Sequence, residues 1–206
     1  MSEGPNNDIR SKRRPRLNIS EAVELLIVIA LGFSFFQLSM SDRLLQLLTN
    51  LFVATSVLNF WLTTRVSFAV YSAKVFLVDI FSIAILFGMI VQAGVSGDGI
   101  YPPPVFWLLV AALEASYALW DVLLAGTATH STAKKTFRLW TALSIIAVLG
   151  CVAAFVLGLP SFAEFGYDGI THIVGFSSLA YIFVMNVVWN AQLFLTNKAT
   201  NDRDLI

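Results

Sequence analysis

Two carboxylic acids stand inside one long apolar stretch of the chain. They are Glu114 and Asp121, in the segment VFWLLVAALEASYALWDVLLAG. Seven residues make about two helical turns, so both side chains lie on one face of a helix, roughly 10 Å apart along its axis. An ionised acid at the centre of a bilayer costs about 3 kcal/mol or more. We therefore expect this face to contact protein or water rather than lipid.

Two further charged residues, Lys74 and Asp79, lie in the preceding apolar segment. Asp79 and Glu114 are each near the middle of their segments, so a hairpin of two helices would bring them to the same depth. Two nearby carboxyl groups in a low-dielectric site do not both ionise easily, and such a pair tends to hold a proton or a cation. The sequence predicts an ion or proton site at Asp79 and Glu114, supported by an ion pair of Lys74 with Asp121. The alternative is structural: the acids join neighbouring helices by hydrogen bonds.

Asparagines form a second group of polar residues in apolar surroundings. Asn186 and Asn190 lie in the last apolar segment, and Asn59 lies in the second. An amide group in hydrocarbon needs a hydrogen-bond partner, so we expect these residues to face inward. Two roles are open for them: hydrogen bonding between helices, and polar lining of a pathway.

The composition requires an apolar environment for most of the surface. Of the 206 residues, 57% are hydrophobic and only 13% are charged, whereas a soluble domain has about a quarter of its residues charged. Apolar runs long enough to cross a bilayer recur along the chain, and no strand-like alternation interrupts them. The sequence predicts an all-α, polytopic integral membrane protein with about six transmembrane helices, at Glu21–Met40, Leu44–Thr63, Phe68–Ile90, Val105–Ala125, Phe137–Leu157 and Ile170–Leu195.

The distribution of basic residues predicts the orientation. With six spans, one side of the membrane receives nearly all of the basic residues, and the opposite side receives only Arg43. The basic residues of the first side are Arg10, Lys12, Arg13, Arg14, Arg16, Arg65, Lys134, Lys135, Arg138, Lys198 and Arg203. Positive charge marks the cytoplasmic face, so both termini are predicted to be cytoplasmic. The domains are then a basic tail 1–18, a transmembrane domain 19–197 and a short tail 198–206. Aromatic residues such as Trp107 and Trp140 fall near predicted interfaces, as an aromatic belt would place them.

Several kinds of site find no support in the sequence. The only two histidines, His130 and His172, fall on opposite sides of the predicted membrane, which disfavours a transmembrane haem. Glu164, Asp168 and His172 recur every four residues, but two glycines interrupt any helix there, so a solvated loop accounts for them. A phosphate-binding glycine loop, a nucleophile elbow and an HExxH motif are all missing. No metal and no cofactor is predicted.

Three functions are compatible with these observations. The leading hypothesis is a small multi-pass channel or transporter for an ion or small solute, with a proton or cation at the midplane carboxylates. Six short spans barely enclose a pathway, so we expect a homo-oligomer. The second hypothesis is a non-catalytic subunit, scaffold or sensor that acts through a membrane partner protein. The third is an intramembrane enzyme acting on lipid, with the carboxyl pair as acid and base; it is less favoured because no nucleophile accompanies the pair.

The partners expected from the sequence are mainly lipids. The basic run next to the first span suits anionic lipid headgroups, and nucleic acid is not expected. The compact, loop-poor chain with its single Cys151 favours the bacterial inner membrane as the location.

Overall fold

The architecture comes from a computed structural model, which describes residues 19–41, 43–67, 73–95, 101–127, 131–163 and 168–201. Within these ranges the regular structure is entirely helical, which confirms the all-α prediction. The helices are α1 (Ile19–Ser39), α2 (Leu44–Ser67), α3 (Ala73–Gly94), α4 (Pro104–Thr127), α5 (Ser131–Leu157), α6 (Pro160–Ala163) and α7 (Asp168–Asn201). The basic segment 1–18 and residues 202–206 lie outside the described residues, as do the roles predicted for them.

Five of these helices are long and apolar enough to cross a membrane: α2, α3, α4, α5 and α7. Their apolar stretches contain 21 to 25 residues, which at about 1.5 Å per residue match a hydrocarbon core about 30 Å thick. In α1 the apolar stretch is shorter, Val23–Ser39. The five helices indicate an integral membrane protein, and a sixth crossing remains a prediction.

The outer surface of the helices is apolar. Large side chains such as Phe36, Leu77, Leu149 and Ile173 are between 62% and 69% exposed. A soluble monomer rarely exposes apolar area of this extent, whereas a lipid-facing surface requires it because acyl chains are as apolar as leucine. The exposed side chains therefore support the membrane assignment independently of helix length.

The five long apolar helices pack into a closed ring. Neighbours along the ring are α2 and α3, α3 and α4, α4 and α5, α5 and α7, and finally α7 and α2. Helix α1 stands outside the ring, against α2 and α3. It buries a narrow stripe at Val23, Ile27, Ala30 and Ser34, a spacing that follows one helical face. Through this stripe α1 joins the apolar core that the ring helices form.

Tyr101 fastens the connection between α3 and α4 to the ring. Its hydroxyl group donates a 2.9 Å hydrogen bond to the carbonyl oxygen of Ala93. Its own carbonyl oxygen lies 2.7 Å from Nε2 of His172, near the start of α7, and accepts the proton of that nitrogen. Burial raises the pKa of the Tyr101 phenol, so it remains a neutral donor at physiological pH. These bonds hold three elements together at the end of the ring where α4 begins.

Candidate functional site

The interior of the ring divides into two halves along the helix axes. We name one of them the cavity half, because it surrounds a cavity to which all five ring helices contribute. The lining residues are Asn59, Phe60, Thr63 and Thr64 of α2, Val78, Asp79 and Ser82 of α3, Glu114, Tyr117, Trp120 and Asp121 of α4, Trp140 and Ser144 of α5, and Met185, Asn186 and Trp189 of α7. We name the other the dry half, because buried apolar side chains fill it. They include Ile83, Leu86, Met89, Trp107, Val110, Leu113, Ala147, Cys151, Ala154, Leu179 and Ile182. The boundary is sharp because it falls within one helical turn on each of α3, α4, α5 and α7.

Trp107 is the largest fully buried side chain of the dry half. A Cβ atom added at Gly175 of α7 would overlap its indole ring, so only glycine allows this approach. Phe106 and Phe176 meet the same indole edge to face, with ring centroids 5.5 Å and 5.8 Å away. The aromatic cluster closes the interior of the ring between α4 and α7.

The cavity is small. Its free volume is about 50 Å³; a water molecule requires roughly 10–15 Å³, and a cavity that binds benzene measures about 150 Å³. The site therefore has room for a few waters or one small ion, and a larger solute requires the helices to move.

Three acids line this cavity while being almost entirely removed from the surface. Asp79, Glu114 and Asp121 are 2%, 1% and 6% exposed, respectively. Among the residues that the structure describes, none forms a hydrogen bond with the carboxyl group of Glu114 or of Asp121. A buried carboxyl group without a partner is costly, so both groups favour a proton, a cation or water from the cavity.

The depth of the acids follows from the register of α3 and α4. The hydroxyl groups of Ser82 and Ser116 lie 2.8 Å apart and fix these antiparallel helices against each other. Counting from this pair, Asp79 is level with position 119, about 3 Å in height from Asp121 and about 7–8 Å from Glu114. The three acids therefore form a short column in which Asp79 stands closer to Asp121, rather than the level pair of Asp79 and Glu114 that the sequence predicted.

Lys74 stands outside this arrangement. Its side chain is exposed near the start of α3, whereas Asp121 is buried and lines the cavity. In the sequence-based prediction the two residues formed an ion pair, because both were displaced toward the same side of the membrane. Their helices do bring them to similar depths, but the two side chains occupy different environments. Lys74 is accordingly not part of the candidate site.

The three predicted asparagines belong to the cavity half. Nδ2 of Asn190 donates to Oδ1 of Asn59 at 2.5 Å, and this bond joins α7 to α2 where the ring closes. Asn59 and Asn186 line the cavity, and the carbonyl oxygen of Asn186 accepts a second bond from Nδ2 of Asn190 at 2.8 Å. Their positions are thus compatible with both predicted roles, hydrogen bonding between helices and polar lining of a pathway.

The sequence analysis assigned no aromatic residue to the candidate site. Trp120, Trp140 and Trp189 line it with Tyr117, and the ring centroids of Trp140 and Trp189 are 5.0 Å apart. The hydroxyl oxygen of Tyr117 is buried and lies near Asn59. This oxygen forms no hydrogen bond of good geometry with the described residues. Helical spacing contained the signal: Tyr117 follows Glu114 by three residues, and the last tryptophan follows Asn186 by three.

Trp107 and Trp140 do not form an aromatic belt facing the membrane interface, as the sequence predicted. Both side chains are buried, at 1% and 7% exposure, one in the dry half and one at the cavity. Their distance from the predicted helix ends suggested an interfacial position, but distance along a helix does not reveal whether a side chain points outward or into the ring.

A second concave region lies outside the ring, between α3 and α4. Its lining is mainly apolar and includes Leu77, Phe81, Ala112 and Leu119. No ionisable side chain lines it, and its position on the outer face of the pair suits an acyl chain. The chemistry of the molecule is therefore concentrated in the ring cavity.

Comparison with protein-family models, curated proteins and solved structures finds no match. The site is accordingly interpreted from its own residues.

Proposed function

We propose that this chain is a small membrane channel or transporter for an ion or small solute, with the ring cavity as its proton or cation site. The observation that carries the proposal is the position of three buried acids inside a closed ring of membrane-length helices. A structural role alone would place such acids against partners on neighbouring helices. Glu114 and Asp121 instead adjoin free volume.

The dry half determines the kind of transport that is proposed. Buried apolar side chains fill it, and water does not readily enter an apolar region of this kind. An ion that reached Glu114 from the cavity half would stop there. Passage requires the dry half to rearrange, so the proposal is a gated or alternating-access protein rather than a permanently open pore.

Topology and location form part of the same proposal. The described basic side chains Lys74, Lys134, Lys135 and Arg138 are exposed at the end of the ring nearest the cavity, and Arg43 is exposed at the other end. By the positive-inside rule the cavity half faces the cytoplasm. Six crossings with both termini cytoplasmic, a homo-oligomer and a bacterial inner membrane complete this proposal.

The test is ion flux into proteoliposomes that contain the purified protein. Glu114→Gln and Asp79→Asn remove charge from the cavity at nearly constant volume, and we expect each to lower cation or proton flux at least about 10-fold, the scale of one charge-assisted interaction. Glu24→Gln, in α1 outside the ring, is the matched control and should leave flux unchanged. Wild-type flux from both cavity variants would show that the acids do not serve transport.

A second candidate function is a non-catalytic subunit or sensor that acts through a membrane partner. The observation that favours it is α1, which buries one narrow stripe and exposes Phe33, Phe35 and Phe36 at more than half of their area. A stable partner captured in detergent, together with absence of flux from the chain alone, would favour this function over transport.

A further inference from the structure

We propose that the ring cavity binds a small ammonium cation, either ammonium itself or methylammonium. This inference rests on the proposed function and names the substrate class for the same site. It is carried by two buried acids, Glu114 and Asp121, that line one small cavity together with aromatic rings.

Glu114 supplies the negative charge. Its side chain is 1% exposed, lines the cavity and receives no hydrogen bond from the residues that the structure describes. Asp121, on the same face of α4, lines the cavity two turns away. An ammonium group carries several N–H donors and a positive charge, so one ligand satisfies both the charge and the hydrogen-bonding capacity of a buried carboxylate.

The aromatic side chains favour a nitrogen cation over a metal cation. Trp120, Trp140, Trp189 and Tyr117 all contribute to the lining. Ring faces attract cations within about 6 Å, and tryptophan does so most strongly. The three tryptophans line the same cavity as the carboxylates, and Trp120 and Trp189 also pack in an apolar cluster beside it.

The distribution of the oxygen atoms points the same way. Ca²⁺ and Mg²⁺ require about six oxygen ligands within about 2.0–2.6 Å. The described acids lie on a column, and no three of the described His, Cys, Asp or Glu side chains converge as a metal-binding group. An ammonium ion needs only a few acceptors and tolerates apolar rings for the remainder of its surface.

The cavity volume limits the ligand. About 50 Å³ accommodates ammonium or methylammonium, since a water molecule requires roughly 10–15 Å³ on the same measure. Tetramethylammonium is considerably larger and requires the ring to open. Selectivity should therefore fall with each added methyl group.

The experiment measures currents from proteoliposomes on a solid-supported membrane after concentration jumps of ammonium, methylammonium, tetramethylammonium, potassium or sodium chloride. Potassium is the decisive comparison because it nearly equals ammonium in size and lacks N–H groups. We expect ammonium and methylammonium to half-saturate the current at concentrations at least about 10-fold lower than potassium, with no current from tetramethylammonium. Protein-free liposomes control for permeation of neutral ammonia. Thermal unfolding with the same salts reports binding without transport.

Tryptophan variants test the contribution of the aromatic rings separately from that of the carboxyl groups. Trp140→Leu should raise the half-saturating concentration of methylammonium about 2- to 30-fold, whereas Trp140→Phe should retain most of the affinity. Trp189→Leu repeats the test if the first variant does not fold. Trp61→Leu, whose ring does not line the cavity, is the control.

The outcomes distinguish this inference from the proposed function. Proton, sodium or potassium currents that depend on Glu114, without preference for ammonium, would overturn the ammonium inference and leave transport standing. Stabilisation by methylammonium that is lost in Glu114→Gln, without any current, would support the site and overturn transport. Neither current nor stabilisation with any of the salts would overturn both.

Discussion

The two halves of the ring are made by the same five helices and yet have opposite interiors. On α4 the change falls between Leu113, which belongs to the apolar core, and Glu114, which lines the cavity. On α3 it falls between Ser82 and Ile83, and on α5 between Ser144 and Ala147. One half is packed with apolar side chains, and the other leaves free volume beside carboxyl groups.

This difference separates structure from chemistry within one helix bundle. The dry half orders the helices through aromatic and aliphatic packing, and its tight contacts leave no space for a ligand. The cavity half gives up part of that packing and buries acids, which is unfavourable for stability unless a ligand or proton compensates. We infer that stability resides mainly in the dry half and that ligand specificity resides in the cavity half.

The largest effect is expected from placing a new acid on either side of the boundary. Ala147→Asp puts a carboxyl group into the dry half and should lower the free energy of unfolding by about 3 kcal/mol or more. Ser144→Asp, one turn earlier on α5, adjoins the cavity and should cost much less, because water can reach the new group. Thermal unfolding in detergent measures both, and equal losses would remove the distinction between the halves.

A glycine of the dry half should show an intermediate effect. Gly175→Ala brings a methyl group onto Trp107, and the indole must shift, so we expect a loss of about 1–3 kcal/mol in the free energy of unfolding. Gly32→Ala on α1 meets nothing within 4 Å and should change stability by less than about 1 kcal/mol, in the stabilising direction. A normal melting temperature for Gly175→Ala would show that the aromatic cluster does not limit the stability of the ring.

The smallest effect is expected at the contact that closes the ring in the cavity half. A double-mutant cycle of Asn59→Ala and Asn190→Ala should give a coupling energy of about 0.6–1.7 kcal/mol, typical of hydrogen bonds between membrane helices. Chemical denaturation of the four variants in micelles supplies the values. A coupling near zero would mean that the contact between these two amides does not stabilise ring closure.

Much of the fold was predictable because lipid imposes a strong pattern on the sequence. Long apolar runs indicated the helices, and the predicted boundaries of the second helix, Leu44–Thr63, nearly match the observed Leu44–Ser67. The cost of a buried charge likewise placed Glu114 and Asp121 toward the interior, as they are found. These are single-helix properties, which spacing along the chain can reveal.

Relations between helices were less predictable. The hydroxyl contact of Ser82 with Ser116 sets the register of α3 and α4, and no periodicity identifies that pair in advance. For the same reason the sequence placed Asp79 at the depth of Glu114, and it did not show that the side chain of Lys74 turns outward. One tryptophan of the cavity, Trp140, was assigned to the interface, because an aromatic residue suits a membrane interface and a buried cluster equally well.

The most direct measurement of the boundary is the reaction of cysteine thiols with Ag⁺, a small cation that fits the cavity. Ser144→Cys and Ala147→Cys would each be made in a Cys151→Ala background, and unmodified thiols would be counted by mass spectrometry after unfolding. The account predicts that Ser144→Cys reacts at least about 10-fold faster than Ala147→Cys, and that Cys151 of the unaltered protein is as slow as the latter. Equal rates at positions 144 and 147, whether both fast or both slow, would contradict the division of the ring into a cavity half and a dry half.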